Sequence, residues 1–140
     1  MSKVAVVYWS GTGNTEAMAK AVLKGAQSAG ASASLYSVSD FDASKLAGLD
    51  AVAFGCPAMG SESLEDSEFE PVFESCKAGL AGKPIALFGS YGWGDGEWMR
   101  NWEDDCSAAG AVLACDSVIC NDAPDDEALD ACKALGAALA

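Results

Sequence analysis

The chain has 140 residues, enough for one domain, residues 1–140, with a sizeable core. Its 8 basic residues stand against 21 acidic ones, a net charge of -13 with no histidine, which argues against nucleic acid or an anionic membrane as partners. The missing histidine also removes imidazole acid–base chemistry and most zinc and haem sites. No apolar run could span a bilayer, and the one after Lys3 is too short for the core of a signal peptide, so a cytoplasmic protein is expected.

Taken in order, Val4-Ala5-Val6-Val7 has the length and β-branched content of a buried parallel strand. Ser10-Gly11-Thr12-Gly13-Asn14-Thr15 then turns into a helix whose apolar or small residues, Met18, Ala21, Val22, Gly25, Ala26 and Ala29, fall on one face before Gly30 ends it. Residues 34–38 read as an edge strand, and Asp40 to Leu49 as a connector with a short helix. Asp50 to Cys56 is apolar on both faces and so a central strand. After a loop, Phe69, Val72, Phe73, Cys76 and Leu80 mark a helix with Pro71 tolerated in its first turn. Pro84 to Gly89 is the fourth strand, and a second glycine-rich loop, residues 90–96, leads into a helix faced by Met99, Trp102, Cys106 and Ala109. Ala111 to Cys120 reads as an unbroken fifth strand and Asp125 to Leu139 as a closing helix. The six cysteines, at 56, 76, 106, 115, 120 and 132, form no C-x-x-C pair, which favours buried free thiols in a reducing compartment over a metal site or disulfides.

Five strands alternating with helices specify a parallel sheet covered on both faces, with ligands held beyond the carboxyl ends of the strands. Three unusual loops leave those ends. The first, Ser10 to Thr15, offers backbone N–H groups, hydroxyls and a helix N-terminus to an anion. It lacks the Lys of a nucleoside-triphosphate loop, and Glu16 replaces the third Gly of a dinucleotide fingerprint. A nest for one terminal phosphate remains, beside the plainer reading of a glycine turn that caps a helix. The second loop, around Pro57-Ala58-Met59-Gly60-Ser61-Glu62, and the third, Ser90-Tyr91-Gly92-Trp93-Gly94-Asp95, present two walls of a slot. Trp93 offers a flat aromatic surface, Met59 a polarizable one, and the glycines free backbone groups that can read a heterocycle edge. Taken singly, Met59 is equally well core filling and Trp93 equally well a protein contact.

These three segments, Tyr8 to Glu16, Gly55 to Glu62 and Leu87 to Met99, closely resemble those of short-chain flavodoxins of anaerobic bacteria, and the resemblance runs from end to end. It implies an α/β, three-layer doubly wound fold, with a five-stranded parallel sheet in the order 2-1-3-4-5. It implies noncovalent FMN, with Ser10, Gly11, Thr12, Gly13, Asn14 and Thr15 around the phosphate and Ser90 close to it. Met59, with Pro57 and Ala58 beside it, would flank the inner face of the ring and Trp93 the outer face. The Gly60–Ser61 peptide would lie by N5 and steady the half-reduced flavin, Glu62 by N3, and backbone groups of Gly92 and Gly94 by the pyrimidine edge, with Tyr91 and Asp95 also among the cofactor-binding residues. Asn121 would lie near the flavin.

The function so implied is a monomeric carrier of single low-potential electrons between oxidoreductases, with no catalytic residues and no metal. Glu62, Glu65, Asp66, Asp95, Glu97, Asp122, Asp125 and Asp126 are expected to form an acidic rim that steers reductases and oxidoreductases with basic docking faces. Carboxylates at helix N-termini are the alternative account of the same residues. Two other functions remain to be weighed: a flavin enzyme, which needs a second substrate pocket, and a phosphate-binding signalling domain, which has no use for the Met and Trp walls.

Overall fold

The computed structural model describes residues 2–11, 13–59, 63–92, 94 and 96–140. Strand β1 (Lys3–Tyr8) carries the Val4-Ala5-Val6-Val7 run, whose four side chains are all buried, so both faces of the strand are covered. It is followed by α1 (Asn14–Ser28), β2 (Ser32–Ser37), β3 (Ala51–Gly55), α2 (Phe69–Cys76), β4 (Pro84–Tyr91), α3 (Glu97–Ala108), β5 (Val112–Leu113), β6 (Val118–Asn121) and α4 (Asp126–Leu139). The connector before β3 is two 3-10 turns, Val38–Asp40 and Ala43–Gly48. Helix α2 stops at Cys76 and tightens into a 3-10 turn, Lys77–Gly79, so Leu80 lies beyond it.

All strands pair in parallel, in the order β2-β1-β3-β4-β5. Val6 stands opposite Leu35 on one side and Ala53 on the other, and Ala53 in turn faces Ala86. The fifth strand differs from expectation. It is broken into β5, paired with Pro84 and Ile85, and β6, paired with Phe88 to Tyr91. Between them Ala114 still donates to Ile85, but Asp116 and Ser117 leave the ladder, and the Ser117 hydroxyl turns to Glu103 on α3 at 2.7 Å. Asp and Ser fit a pleated, half-buried surface poorly, which gives the break its physical cause. Cys115 consequently lies in no strand.

The alternation of β1 divides the core. Val4 and Val6 point to the side covered by α1 and α4, with Met18, Val22, Ala53, Ala86, Phe88 and Leu135. Ala5 and Val7 point to the side covered by α2 and α3, with Phe54, Phe69, Phe73, Leu87, Trp98 and Trp102. The six cysteines are free; Cys56, Cys76, Cys106 and Cys132 are buried, while Cys115 and Cys120 are half-buried. Among the described residues no helix is long and apolar enough to cross a membrane, and no cluster of three or more His, Cys, Asp or Glu could hold a metal.

The chain runs from β1 outward to β2 and returns to β3 on the opposite side of β1. Connections therefore part at the carboxyl ends of β1 and β3, leaving a crevice between the loops that follow them. Ser90 and Tyr91 at the end of β4, with Gly92, close its third side.

Candidate functional site

At that crevice is a cleft of about 250 Å³ lined by Trp9, Gly11, Asn14, Pro57, Ala58, Met59, Ser90, Tyr91, Gly92 and Asp122. It is not the largest hollow. A more open one of about 510 Å³ lies along α3 against Ser63 and Leu64, and none of the lining residues of the cleft borders it.

The first loop is shaped by its glycines. Gly13 sits at φ 94°, a conformation that only Gly adopts without strain, and stands as the N-cap of α1. Having no side chain, it leaves the first-turn amides of the helix without a side-chain cap. The Ser10 hydroxyl accepts the Gly13 N–H at 3.0 Å and so closes the turn. Gly11 is crowded rather than twisted: a Cβ there would stand 3.1 Å from the Trp9 ring, which would have to give by a few tenths of an ångström. Thr15 is fully buried, and its hydroxyl meets that of Ser90 at 3.3 Å, bracing the start of α1 against the end of β4.

The second loop is pinned at several points. Ala58 N–H donates to the Ser90 carbonyl and Met59 N–H to the Ser63 carbonyl, each at 3.0 Å. The Cys56 carbonyl accepts the Trp98 indole N–H at 3.1 Å. Gly89 lies so close that a Cβ on it would stand 2.2 Å from that same carbonyl. Burial pushes the Cys56 thiol up to about 12, so it stays protonated.

Of the residues expected at the site, the structure gathers Gly11, Asn14, Pro57, Ala58, Met59, Ser90, Tyr91 and Gly92 around one cleft, with Ser10, Gly13 and Thr15 shaping its floor and entry. Gly94 is exposed at φ 83° and does not line it. Asn121 ends β6 and borders a neighbouring depression with Asp125. Thr12, Gly60, Ser61, Glu62, Trp93 and Asp95 lie outside the described residues.

Two lining residues were not singled out from the sequence. Trp9, the first residue after β1, donates its indole N–H to Glu68 at 3.2 Å, and its neighbouring glycine was the signal for it. Asp122, expected only in the acidic rim, stands at φ 56° with its N–H on the Tyr91 carbonyl at 2.8 Å; Asp is one of the few residues that tolerates this conformation.

The acidic rim divides into two kinds of carboxylate. Asp66, Glu97, Asp122 and Asp126 are exposed. Glu65 is only 5% exposed and accepts from the Ser67 N–H and hydroxyl, the Glu68 N–H and the Phe69 N–H, so its oxygens cap the turn that leads into α2. Burial alone would raise its carboxyl, but these donors outweigh it and hold the group at about 2. Asp125 caps α4 by accepting the Ala128 N–H at 2.8 Å.

Comparison with known proteins gives a consistent result. The family model described as Flavodoxin matches residues 6–136. A flavodoxin of Clostridium beijerinckii is 46% identical over 125 residues, covering 89% of this chain and 91% of that protein. One from Megasphaera elsdenii is 45% identical over 137 residues and covers 98% of each chain. The solution structure of two-electron reduced Megasphaera elsdenii flavodoxin superposes with a TM-score of 0.89 at 46% identity, covering 97% of each chain.

Proposed function

The chain belongs to the flavodoxin family, and we propose that the cleft at the carboxyl ends of β1, β3 and β4 is where it holds its flavin mononucleotide. It is a small FMN-binding electron carrier and not an enzyme, and as a flavodoxin it acts with redox partner proteins. When bound, the flavin supplies the chemistry by taking up and releasing single electrons. The residues of the chain bind it, orient it and limit access to it.

The groups present fit such a ligand. One end of the cleft is the uncapped N-terminus of α1 with Gly11, Asn14 and the Ser10–Gly13 turn. Among the described lining residues there is no Lys, Arg or His. A phosphate there would be met by amides, hydroxyls and the helix dipole alone. The other end is walled by Pro57, Ala58, Met59 and Tyr91, apolar surfaces suited to a planar ring. We assign Ser10 to Thr15 and Ser90 to the phosphate, Pro57 to Glu62 and Tyr91 to Asp95 to the ring, and Asn121 to the margin. The observation that carries the reading is the meeting of an uncapped helix start and an apolar slot in one cleft.

Titration of the flavin-free protein with FMN and with riboflavin tests it. FMN is expected to bind one to one, and riboflavin about tenfold or more weakly, the scale of losing charge-assisted hydrogen bonds. Equal affinities would take the phosphate away from α1, and no binding of either would end the proposal.

We further propose a cytoplasmic monomer whose partners dock through basic faces, the docking supported by the exposed carboxylates Asp66, Glu97, Asp122 and Asp126. Electron transfer to such a partner should slow as salt rises past about 0.1 M, where the screening length is about 10 Å. Replacing Asp66, Asp122 and Asp126 together by Asn should flatten that dependence. A rate that ignores both salt and these substitutions would leave the carboxylates as local caps and surface charge.

A further inference from the structure

The loop after β3 begins at a residue whose every polar atom is engaged. Cys56 is fully buried. Its N–H donates to the Phe88 carbonyl at 3.2 Å, its carbonyl accepts from Trp98 at 3.1 Å, its sulfur accepts the Glu65 N–H at 3.4 Å, and its S–H donates to the Pro57 carbonyl at 3.5 Å. The third of these bonds joins two positions nine apart in sequence, the two feet of the loop. From the amide that the thiol holds, the Glu65 side chain reaches on into the first turn of α2, where it accepts the Glu68 N–H at 2.7 Å and the Phe69 N–H at 2.9 Å. Inside this span the Met59 N–H meets the Ser63 carbonyl at 3.0 Å, and the Ala58 N–H ties the rising limb to Ser90.

We propose that the Cys56 thiol and Glu65 form a staple that fixes the base of the loop facing the flavin ring, and that Cys56 is a positioning residue for the cofactor through that staple. The inference rests on the reading of the cleft as the flavin site. The physical requirement is that Met59 and its neighbours present a wall at a fixed height above β3. A loop held at one foot only would present a distribution of heights. A thiol suits the post because it is small and apolar enough for a fully buried position, yet still accepts an otherwise orphaned N–H. Its pKa of about 12 keeps the thiol protonated, so that its S–H donates to the Pro57 carbonyl. No covalent or redox step at the sulfur is involved.

The test compares Cys56→Ala, which removes the acceptor, with Cys56→Ser, which restores one on a shorter arm. Amide hydrogen exchange is read first on the flavin-free chain. In Cys56→Ala the Glu65 amide and those of the loop at Ala58 and Met59 should exchange about tenfold faster, the equivalent of one lost buried hydrogen bond, while those of β1 keep their wild-type rates. Cys56→Ser should recover most of the protection. The dissociation constants for FMN and riboflavin are read next. Both should rise in Cys56→Ala by the same factor, about three- to tenfold, because the loop touches the ring and not the phosphate. Unchanged exchange at Glu65, or acceleration shared equally by β1, would overturn the staple and leave Cys56 as ordinary core. Faster exchange with unchanged flavin constants would overturn its positioning role. Should the wild-type protein take up no flavin, the cofactor reading fails instead, and the exchange rates of the flavin-free chain still decide the staple.

Discussion

The two faces of the sheet are built from opposite materials. Under α1 and α4 the contact is made by what is missing. A Cβ on Gly25 would lie 2.0 Å from the Lys133 carbonyl oxygen, and one on Gly136 2.0 Å from that of Val22, so the two helices touch backbone to backbone. Under α2 and α3 the contact is made by large plates. Phe54 meets Phe73 edge to face at 5.3 Å, Phe69 meets Trp102 at 5.5 Å, and Phe69 and Phe73 stack at 6.2 Å. The cleft draws on both. The end proposed for the phosphate is the start of α1, the helix whose second half α4 clamps, whereas the end proposed for the ring rests on the aromatic side through Trp98, which bonds Cys56 and leans on Tyr91 at 5.6 Å. A backbone-to-backbone contact leaves no side chain to repack and holds α1 in place, while the plates give the loops after β3 and β4 a broad floor.

If the faces differ in this way, they should fail by opposite changes. Phe73→Ala removes a ring from the middle of the aromatic cluster, where Phe54, Phe69 and Trp102 all touch it, and should cost about 3–5 kcal/mol in denaturant unfolding. Gly136→Ala adds a single carbon where only backbone stands opposite, and should cost about 1–3 kcal/mol as α4 is pushed off α1. Because the clash falls on Val22 and Ala26 of α1, any shift it forces on that helix should weaken FMN more than riboflavin, the phosphate being proposed for its N-terminus. A neutral Gly136→Ala would erase the comparison, because the helices would then have room to spare.

How much of this could be read from the chain follows from how local each feature is. The runs Val4 to Val7, Ala51 to Gly55 and Ile85 to Gly89 declare buried parallel strands by themselves, and the glycines of the first loop mark the tight turn into α1. The broken fifth strand was hidden because a run of mostly apolar residues does not say which neighbour it pairs with, and only the register against β4 shows Asp116 and Ser117 stepping out. Gly25 fell correctly on the buried face of its helix, but its contact with Lys133 joins positions distant in sequence. Glu65, within the string Glu62-Ser63-Leu64-Glu65-Asp66, reads equally as a rim charge or a helix-start carboxylate, because nothing local shows that the turn folds it inward onto Phe69 N–H. Asp122 entered the cleft through a backbone conformation that sequence spacing does not report.

The caps of α2 and α4 sharpen the comparison at a smaller scale, because the aromatic side closes its helix start with a buried charge and the other side with an exposed one. Glu65 has four donors on its two oxygens, whereas Asp125 takes one N–H, from Ala128. The folded-state pKa of Glu65, about 2, lies below its ordinary 4.5. A depressed carboxyl of this kind stabilises the fold fully above the unfolded value and loses that contribution as pH falls through the folded one. Glu65→Gln keeps the shape but surrenders the charge and one acceptor oxygen, and should cost about 1–2 kcal/mol at pH 7. The gap between wild type and variant should stay level down to a pH near 4.5 and then close progressively toward 2, as the wild-type carboxyl takes up its proton. Asp125→Ala, on the exposed cap, should cost only about 0.5–1 kcal/mol at pH 7. Denaturant midpoints measured across the acid range separate the two. A Glu65→Gln gap that remained constant through the acid range, or that matched the Asp125→Ala loss at pH 7, would mean that burial lends the first carboxylate nothing beyond an ordinary helix cap.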